Sequence, residues 1–465
     1  MKIFSSLFIL FILPVTVFCQ ISDTKSFENA INLAKKNDKP LLLIISMPAK
    51  YLNNIPVNIG LQDPEIKNKL KESFVTFETD MKDSSIRQII LMYKINAFPS
   101  FVFMHANKDV FHKDFGSSNT KYKYIQMLAT ALTLSKEKSV SELEKDYLSN
   151  KGDNNNLKKL IELRRKNGIT DNAVLIEQFV NNLKISDFND YQTVLFILQA
   201  GPFADGNAYK LAYNNRKIVD SIFKKEPLQK RIDINNAIIQ NTLNNAVKNK
   251  NIRQAQAAAN IARSSNGNNY EIANKNAANN MLYYFKSVKD TSSYIRSAIH
   301  YYDTYYMNIS ADSIKKLEAK QRQVALDRSR PTLTTGKKII SKEKIDSLIK
   351  ANPNTVKKET TMVSSAVGIP YNNYANELNN AAWNMYETGT KNINHLLKAV
   401  TWSTRSIELN PMSSHHDTLA HLFYQLGYFE QAIKAQETAI NKAKIEGRPF
   451  QEFQEILKKM KSKTL

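Results

Sequence analysis

The chain has 465 residues and a net charge of +22, with lysine outnumbering arginine about four to one and a single cysteine, Cys19. That length suits two to four domains with ordinary cores. One cysteine excludes a disulfide framework and any exchange between paired thiols of the same chain. Lysine, asparagine and isoleucine are abundant together, as in an AT-rich coding sequence, so much of the basicity reads as compositional. The functional alternative is attraction to an anionic envelope surface, such as outer-leaflet lipid, a cell-wall polymer or an acidic partner. No arginine-rich arm and no cluster of aromatics interleaved with basic residues on a strand pattern is present, so nucleic acid is not an expected partner.

Residues 1–19 carry Lys2, an apolar run from Leu7 to Leu13 and a break at Pro14. Val17 and Cys19 then occupy the −3 and −1 positions of a cut before Gln20. This pattern predicts a secretory signal and export to the periplasm or cell envelope. Bulky Phe18 argues against lipoprotein anchoring through Cys19. The apolar run is too short to span a bilayer, and nothing later approaches the ~18 apolar residues a span requires. A cut at this place removes the chain's one thiol.

Helix and strand alternate from Thr24. Phe27, Ala30, Ile31 and Ala34 have helical spacing across Ser26–Asn37. Pro40 stops that helix, and Leu41-Leu42-Leu43-Ile44-Ile45 reads as a buried strand. Asp63-Pro64-Glu65 starts the next helix, with Asp63 as cap and Pro64 in the first turn. The strand Phe74–Phe77 and a helix over Ser84–Tyr93 follow. Phe98–Phe103 and Val110–Phe115 pair around a turn at Asn107, and a helix over Tyr122–Leu134 closes an α/β domain, residues 20–135.

Residues 136–330 show helical segments separated by Gly, Asn and Asp clusters and no strand, which suggests an all-α repeat array or a looser bundle. The interval 331–370 is rich in Pro, Thr, Ser and Lys, with Pro331, Pro353 and Pro370, and reads as a flexible linker or inserted loop. Helices resume over 371–465.

The segments Asn37-Asp38-Lys39-Pro40, Asp63-Pro64-Glu65 and Ile95-Asn96-Ala97-Phe98-Pro99-Ser100-Phe101 resemble those of secreted thioredoxin-like proteins. The resemblance covers Thr24 to about Leu134. It implies a thioredoxin fold with a cis proline at Pro99, and it lays the family's W-C-x-x-C motif over Ala49 to Asn53. The two cysteine positions then hold Lys50 and Asn53, and the family's buried acid falls on Ile44. Neither lysine nor asparagine replaces a thiolate nucleophile, so thiol–disulfide oxidoreductase activity is not expected. The family also pairs the backbone beside its cis proline with extended peptides, which makes Phe98 and Pro99 a candidate peptide-binding edge.

The C-terminal helices resemble tetratricopeptide repeats. Trp383, Ala399 and Pro411 have the family's spacing for a large residue, a small residue and the terminating proline. Phe423, Leu426, Gly427 and Ala439 match a second unit. The first unit has Tyr386-Glu387 in place of the Leu-Gly pair, and an extension around Ser413–Asp417 separates the two. Export, a thioredoxin-like start and helical repeats together resemble a multidomain arrangement of Bacteroidetes-type bacteria.

His415, His416, Asp417 and His421 form the one histidine-rich cluster, read as a polar turn followed by a helix in preference to a metal site. Tyr301, Tyr302, Tyr305 and Tyr306, with Tyr283, Tyr284 and Phe285, read as a helix interface in preference to a ligand groove. No nucleophile elbow and no phosphate-binding loop occur. The sequence therefore points to an exported, non-catalytic protein- or peptide-binding module with no cofactor and no metal. The rival readings are a redox-independent periplasmic chaperone and an enzyme of unrecognised type in the helical region.

Overall fold

The computed structural model describes residues 24–48, 59–150, 152–267, 269–329, 361–362, 364–365 and 374–465. The expectations for the 1–19 signal, for Cys19, for Lys50 and Asn53, and for most of 331–370 fall outside these residues. The chain divides into two compact units: residues 1–142 with 340–366, and residues 143–339 with 367–465.

Unit 1 is built on a small mixed sheet. Its first helix, α1 (Phe27–Asn37), begins where the Ser26 hydroxyl accepts the Asn29 N–H at 3.2 Å, and it buries Phe27, Ala30, Ile31 and Ala34. Strand β1 (Leu41–Ser46) follows, then α2 (Pro64–Ser73), β2 (Val75–Asp80), a 3-10 turn at Ser84–Ile86 and α3 (Arg87–Met92). The Asp63 carboxylate caps α2 by accepting the Glu65 N–H at 2.9 Å. The chain continues through β3 (Ala97–Phe98), β4 (Ser100–Met104), β5 (Val110–Phe115), β6 (Ser117–Ser118) and α4 (Lys121–Leu134).

The sheet order is β2-β1-β4-β5, with β1 parallel to β2 and antiparallel to β4. β1 is central and covered on both faces, which is why Leu41–Ile45 is a continuous apolar run with no exposure. On one face Leu42, Ile44, Phe101 and Phe103 pack with Leu70 and Phe74 at the end of α2 and with Tyr124 and Leu128 of α4. On the other, Phe77 meets Phe27 of α1 with ring centroids 6.1 Å apart. In the β4–β5 turn Asn107 Oδ1 accepts the Asp109 N–H at 3.0 Å, and Lys108 adopts a φ of 73°.

Two further strands come from the 331–370 interval. β7 (Thr361–Met362) pairs antiparallel with β6, and β8 (Ser364–Ser365) pairs antiparallel with β3. That interval was expected to be a flexible linker or inserted loop, with at most a transient helix around Lys342–Lys350. These four residues are ordered into ladders by backbone partners far away in sequence.

Unit 2 is helical. From the segment before the interval it takes α5 (Val140–Ser149), α6 (Asn154–Lys166), α7 (Ala173–Asn181), α8 (Tyr191–Gln199), α9 (Asn207–Asn214), α10 (Arg216–Lys225) and α11 (Leu228–Lys248). Then come α12 (Ile252–Ser264), α13 (Tyr270–Ser287), α14 (Thr291–Tyr302), a π-helical turn at Asp303–Met307, and α15 (Ala311–Ser329). After the interval it adds α16 (Tyr374–Glu387), α17 (Ile393–Leu409), α18 (Ser413–Gln425), α19 (Phe429–Ile445) and α20 (Gln451–Lys461). Among the described residues no helix is long and apolar enough to cross a membrane.

The helices before and after the interval share one core. Leu243, Ala258, Leu282, Tyr294 and Tyr302 from the first set pack in the same cluster as Leu378, Met385, Ala399, Trp402 and Leu422 from the second. The separation of 136–330 from 371–465 seen along the sequence is therefore not a separation in space. Trp402 is the largest fully buried side chain. Its ring lies 5.2 Å from that of Tyr302, and its indole N–H donates to Asp303 Oδ1 at 3.1 Å.

Trp402→Ala should therefore destabilise unit 2 by ~3–5 kcal/mol, with Trp402→Phe costing less. Urea unfolding followed by the helical circular-dichroism signal measures this, and an unchanged midpoint for the alanine variant contradicts the shared core. A second expectation concerns Gly427, which has a φ of 83° and nothing within 4 Å of where a Cβ would stand. Its glycine answers to a left-handed helix end and not to close helix approach. Gly427→Val should cost roughly 1–2 kcal/mol from backbone strain, and Gly427→Asn distinctly less. Equal costs for the two variants contradict that reading.

Candidate functional site

In unit 1 the Phe98–Pro99 peptide bond is cis and Phe98 is 1 % exposed. The Ser100 hydroxyl donates to the Ala97 carbonyl at 2.5 Å, and the Gly116 N–H donates to the Pro99 carbonyl at 2.8 Å. The sequence presents this backbone as an open edge. In the structure β8 lies along it, with Ala97 opposite Ser365 and Phe98 opposite Ser364. The stretch holding Lys50 and Asn53 is outside the described residues. Ile44 is buried and apolar, but its register partner on β2 is Glu78. Burial raises the Glu78 carboxyl above its ordinary range, so an acid that resists ionisation sits one strand away from the position the resemblance points to. The apolar reading of Phe74–Phe77 stops just short of it.

The proposed repeat residues divide by role. Ala399 and Ala439 have no exposure, as a close helix approach requires, and Pro411 lies just beyond Asn410, the C-cap of α17. Phe423 is half-buried beside Ala420, Ala432 and Met460, and Leu426 packs at the margin of the main core. Trp383 is also half-buried, its ring tilted against that of Tyr386 at 5.1 Å and edge-on to His421 at 5.2 Å. The deep anchor is Trp402 on the following helix. Ser413–Asp417 does not form an extension or a turn but the first turns of α18.

The histidine cluster is a buried polar network. His415 Nδ1 donates to the Asn410 carbonyl at 2.7 Å, and its Nε2 faces the Asn376 side-chain amide at 3.0 Å. Burial lowers the His415 pKa and raises that of Asp417, which accepts from Gln436 Nε2 at 2.8 Å. Among the described residues no group of three or more His, Cys, Asp or Glu could hold a metal ion.

The tyrosines split in the same way. Tyr301, Tyr302, Tyr306, Tyr284 and Phe285 are buried in the main core, and burial pushes Tyr301 up to about 12. Tyr283 is 51 % exposed and outside that core. Within the buried set stands a cation that the sequence did not single out. Lys275 Nζ lies 4.1 Å from the Tyr306 ring centroid and 5.2 Å from that of Tyr374, joining α13, the π turn and α16. Burial lowers the Lys275 pKa, and the charges of Glu377 and Glu271 oppose that shift. Burial likewise raises Glu377, and the Lys275 charge pulls it back.

Tyr305 is shared: it packs against the edge of the core, 5.3 Å from the Tyr301 ring, and also lines a groove of about 360 Å³ between α12, α13 and α14, while Tyr306 is buried in the core. Gln256, Asn260 and Arg263 line it from α12, Asn274 and Met281 from α13, and His300 from α14. Arg263 is held in place by two amide oxygens. Its Nε donates to Asn274 Oδ1 at 3.1 Å and its Nη1 to Asn260 Oδ1 at 2.9 Å. A guanidinium has five N–H donors, so this fork keeps capacity for a ligand carboxylate. Amide, guanidinium and phenol at one opening can bind peptide backbone and an acidic group. None of these positions stands out in sequence, because α12–α14 bring them together only on folding.

No protein-family model matches the chain, and no curated protein matches it.

The Lys275–Glu377 arrangement has a pH signature. Glu377 has a raised folded pKa, so the cost of ionising it is absent below its unfolded value near 4.5 and grows as pH rises through the folded value. Removing the Lys275 charge raises that folded value further. Lys275→Met should cost unit 2 about 0.5–2 kcal/mol at either pH from the lost cation–π contact, and more at pH 8 than near pH 4.5 because Glu377 loses its neighbouring cation. Adding Glu377→Gln should abolish the pH-dependent part. Urea midpoints of the two variants at both pH values decide it, and a pH-independent loss contradicts the coupling.

Proposed function

We propose that the chain is an exported, non-catalytic binding protein in which a thioredoxin-like unit precedes a tetratricopeptide-like helical array. The array holds an extended peptide segment bearing an acidic group in the groove between α12, α13 and α14. The observation that carries this reading is the Arg263 guanidinium, fixed by Asn260 and Asn274 at the mouth of a groove lined also by Tyr305 and His300. The net charge of +22 favours an acidic partner over a basic one. For unit 1, the strand–helix order and the sheet order β2-β1-β4-β5 support the thioredoxin-like reading. The absence of any cysteine after Cys19 leaves no thiol there for exchange chemistry.

Fluorescence anisotropy with labelled octapeptides tests the reading on the full chain. Peptides with Asp or Glu near one end should bind at least ~10-fold more tightly than their Asn or Gln counterparts, the value of one hydrogen-bonded charge. Arg263→Gln should erase that preference, and Tyr305→Ala should weaken both peptide classes. Equal affinity for acidic and neutral peptides, or an unaffected preference in Arg263→Gln, overturns the assignment. Circular dichroism confirms that each variant is folded.

A further inference from the structure

β3 and β6 lie outside the four-stranded sheet, and among the described residues their ladder partners are β8 and β7 alone. Thr361 and Met362 stand opposite Ser118 and Ser117, and Ser364 and Ser365 stand opposite Phe98 and Ala97. Both pairings are antiparallel, and a single residue of sequence separates the two incoming strands. One short piece of chain thus supplies partners to two edges of unit 1. More than 200 residues separate it in sequence from those edges.

The composition of that piece fits the task. The chain as a whole is 23 % charged, yet no charged residue occurs from Thr360 to Asn376. Thr361, Met362 and Val363 suit an extended strand, with two β-branched residues and neither glycine nor proline. The edges receiving it are buried: Phe98 is 1 %, Ser117 2 % and Ser118 3 % exposed. A charged strand would lose hydration there without a partner, whereas a neutral one does not.

We propose that the β3–β6 edge of unit 1 is a strand-acceptor site occupied in cis by β7 (Thr361–Met362) and β8 (Ser364–Ser365), which act as a tethered peptide ligand. Two-residue ladders are weak by themselves. A tether gives its segment an effective concentration on the order of millimolar, so weak pairing in cis still excludes a free peptide. An extended, uncharged peptide of the same character binds this edge only when the segment is displaced. This site is separate from the α12–α14 groove, and either assignment stands or falls without the other.

The test uses the full chain with residues 361–365 replaced by Gly-Ser-Gly-Ser-Gly, and a fluorescein-labelled synthetic peptide spanning Lys358 to Gly368. The peptide should bind the replaced chain saturably and the intact chain at least tenfold more weakly. The same peptide N-methylated at Thr361, Met362, Ser364 and Ser365, which leaves none of the paired residues a backbone donor, should not bind. Hydrogen exchange at Ala97, Phe98 and Ser117 should quicken in the replaced chain and slow again on adding peptide, whereas the Ser118 N–H, which donates to Tyr124 Oη at 3.0 Å, should change little. A second variant guards against misfolding: Ala97→Cys with Ser365→Cys, in a chain carrying Cys19→Ser. Oxidation should give an intramolecular disulfide in the monomer, and the locked chain should refuse the peptide. Equal binding to intact and replaced chains, unchanged exchange in the replaced chain, or a disulfide formed only between two chains each overturns the proposal.

Discussion

Unit 2 depends on one aromatic contact. Trp402 packs on Tyr302 and donates to Asp303, and these two residues adjoin the π turn that separates Tyr305 from Tyr306. The indole therefore fixes the start of the turn, which buries Tyr306 in the core and leaves Tyr305 between the core edge and the groove. Tyr306 meets Tyr374 at 5.0 Å, so the same column reaches α16. A large buried side chain costs several kcal/mol to remove because its cavity collapses poorly. Helices lying on either side of 331–370 in sequence are held together by it. The interval can vary in length without loosening them, since loop closure grows only slowly with loop length.

How much of this was legible in the sequence follows the range of the forces involved. The face of α1, the Asp63 cap and the buried run Leu41–Ile45 are set by local spacing and local hydrogen bonds, and the structure has them where the pattern put them. The alternation of helix and strand likewise gave an α/β domain followed by helices. Trp383 drew attention in place of Trp402 because spacing identifies which residues share a helix face, not how deep that face lies. Ser413–Asp417 read as an extension because Ser, His and Asp favour turns. In the structure Glu446 accepts both the Ser413 N–H and its hydroxyl, at 2.8 and 2.7 Å, and this contact anchors the start of α18. β7 and β8, at two residues each, are too short to carry a periodic signal, and their order comes from β6 and β3.

The groove and the Lys275 site were invisible for a related reason. Arg263 is one basic residue among 65, and Lys275 another. What distinguishes them is the company they keep: two asparagine oxygens for Arg263, two tyrosine rings for Lys275. In so basic a chain, charge count carries little information about any single cation. Desolvation and fixed partners carry it, and both arise on folding. Glu78 is the acidic counterpart, ordinary in sequence and set apart by burial beside Ile44.

The two units also differ in what an open surface costs them. Helix backbones satisfy their own N–H and C=O groups except at the ends, so a groove between α12, α13 and α14 can face water with only side chains at stake. A sheet edge presents backbone groups, which invite any extended chain to pair. An uncovered β3–β6 edge would therefore be a promiscuous one. Pairing of that edge with β8 and β7 and openness of the helical groove are then two answers to the same constraint. Selectivity is easier to build where side chains alone make the contacts, and the Arg263 fork fixed by Asn260 and Asn274 is a side chain suited to one.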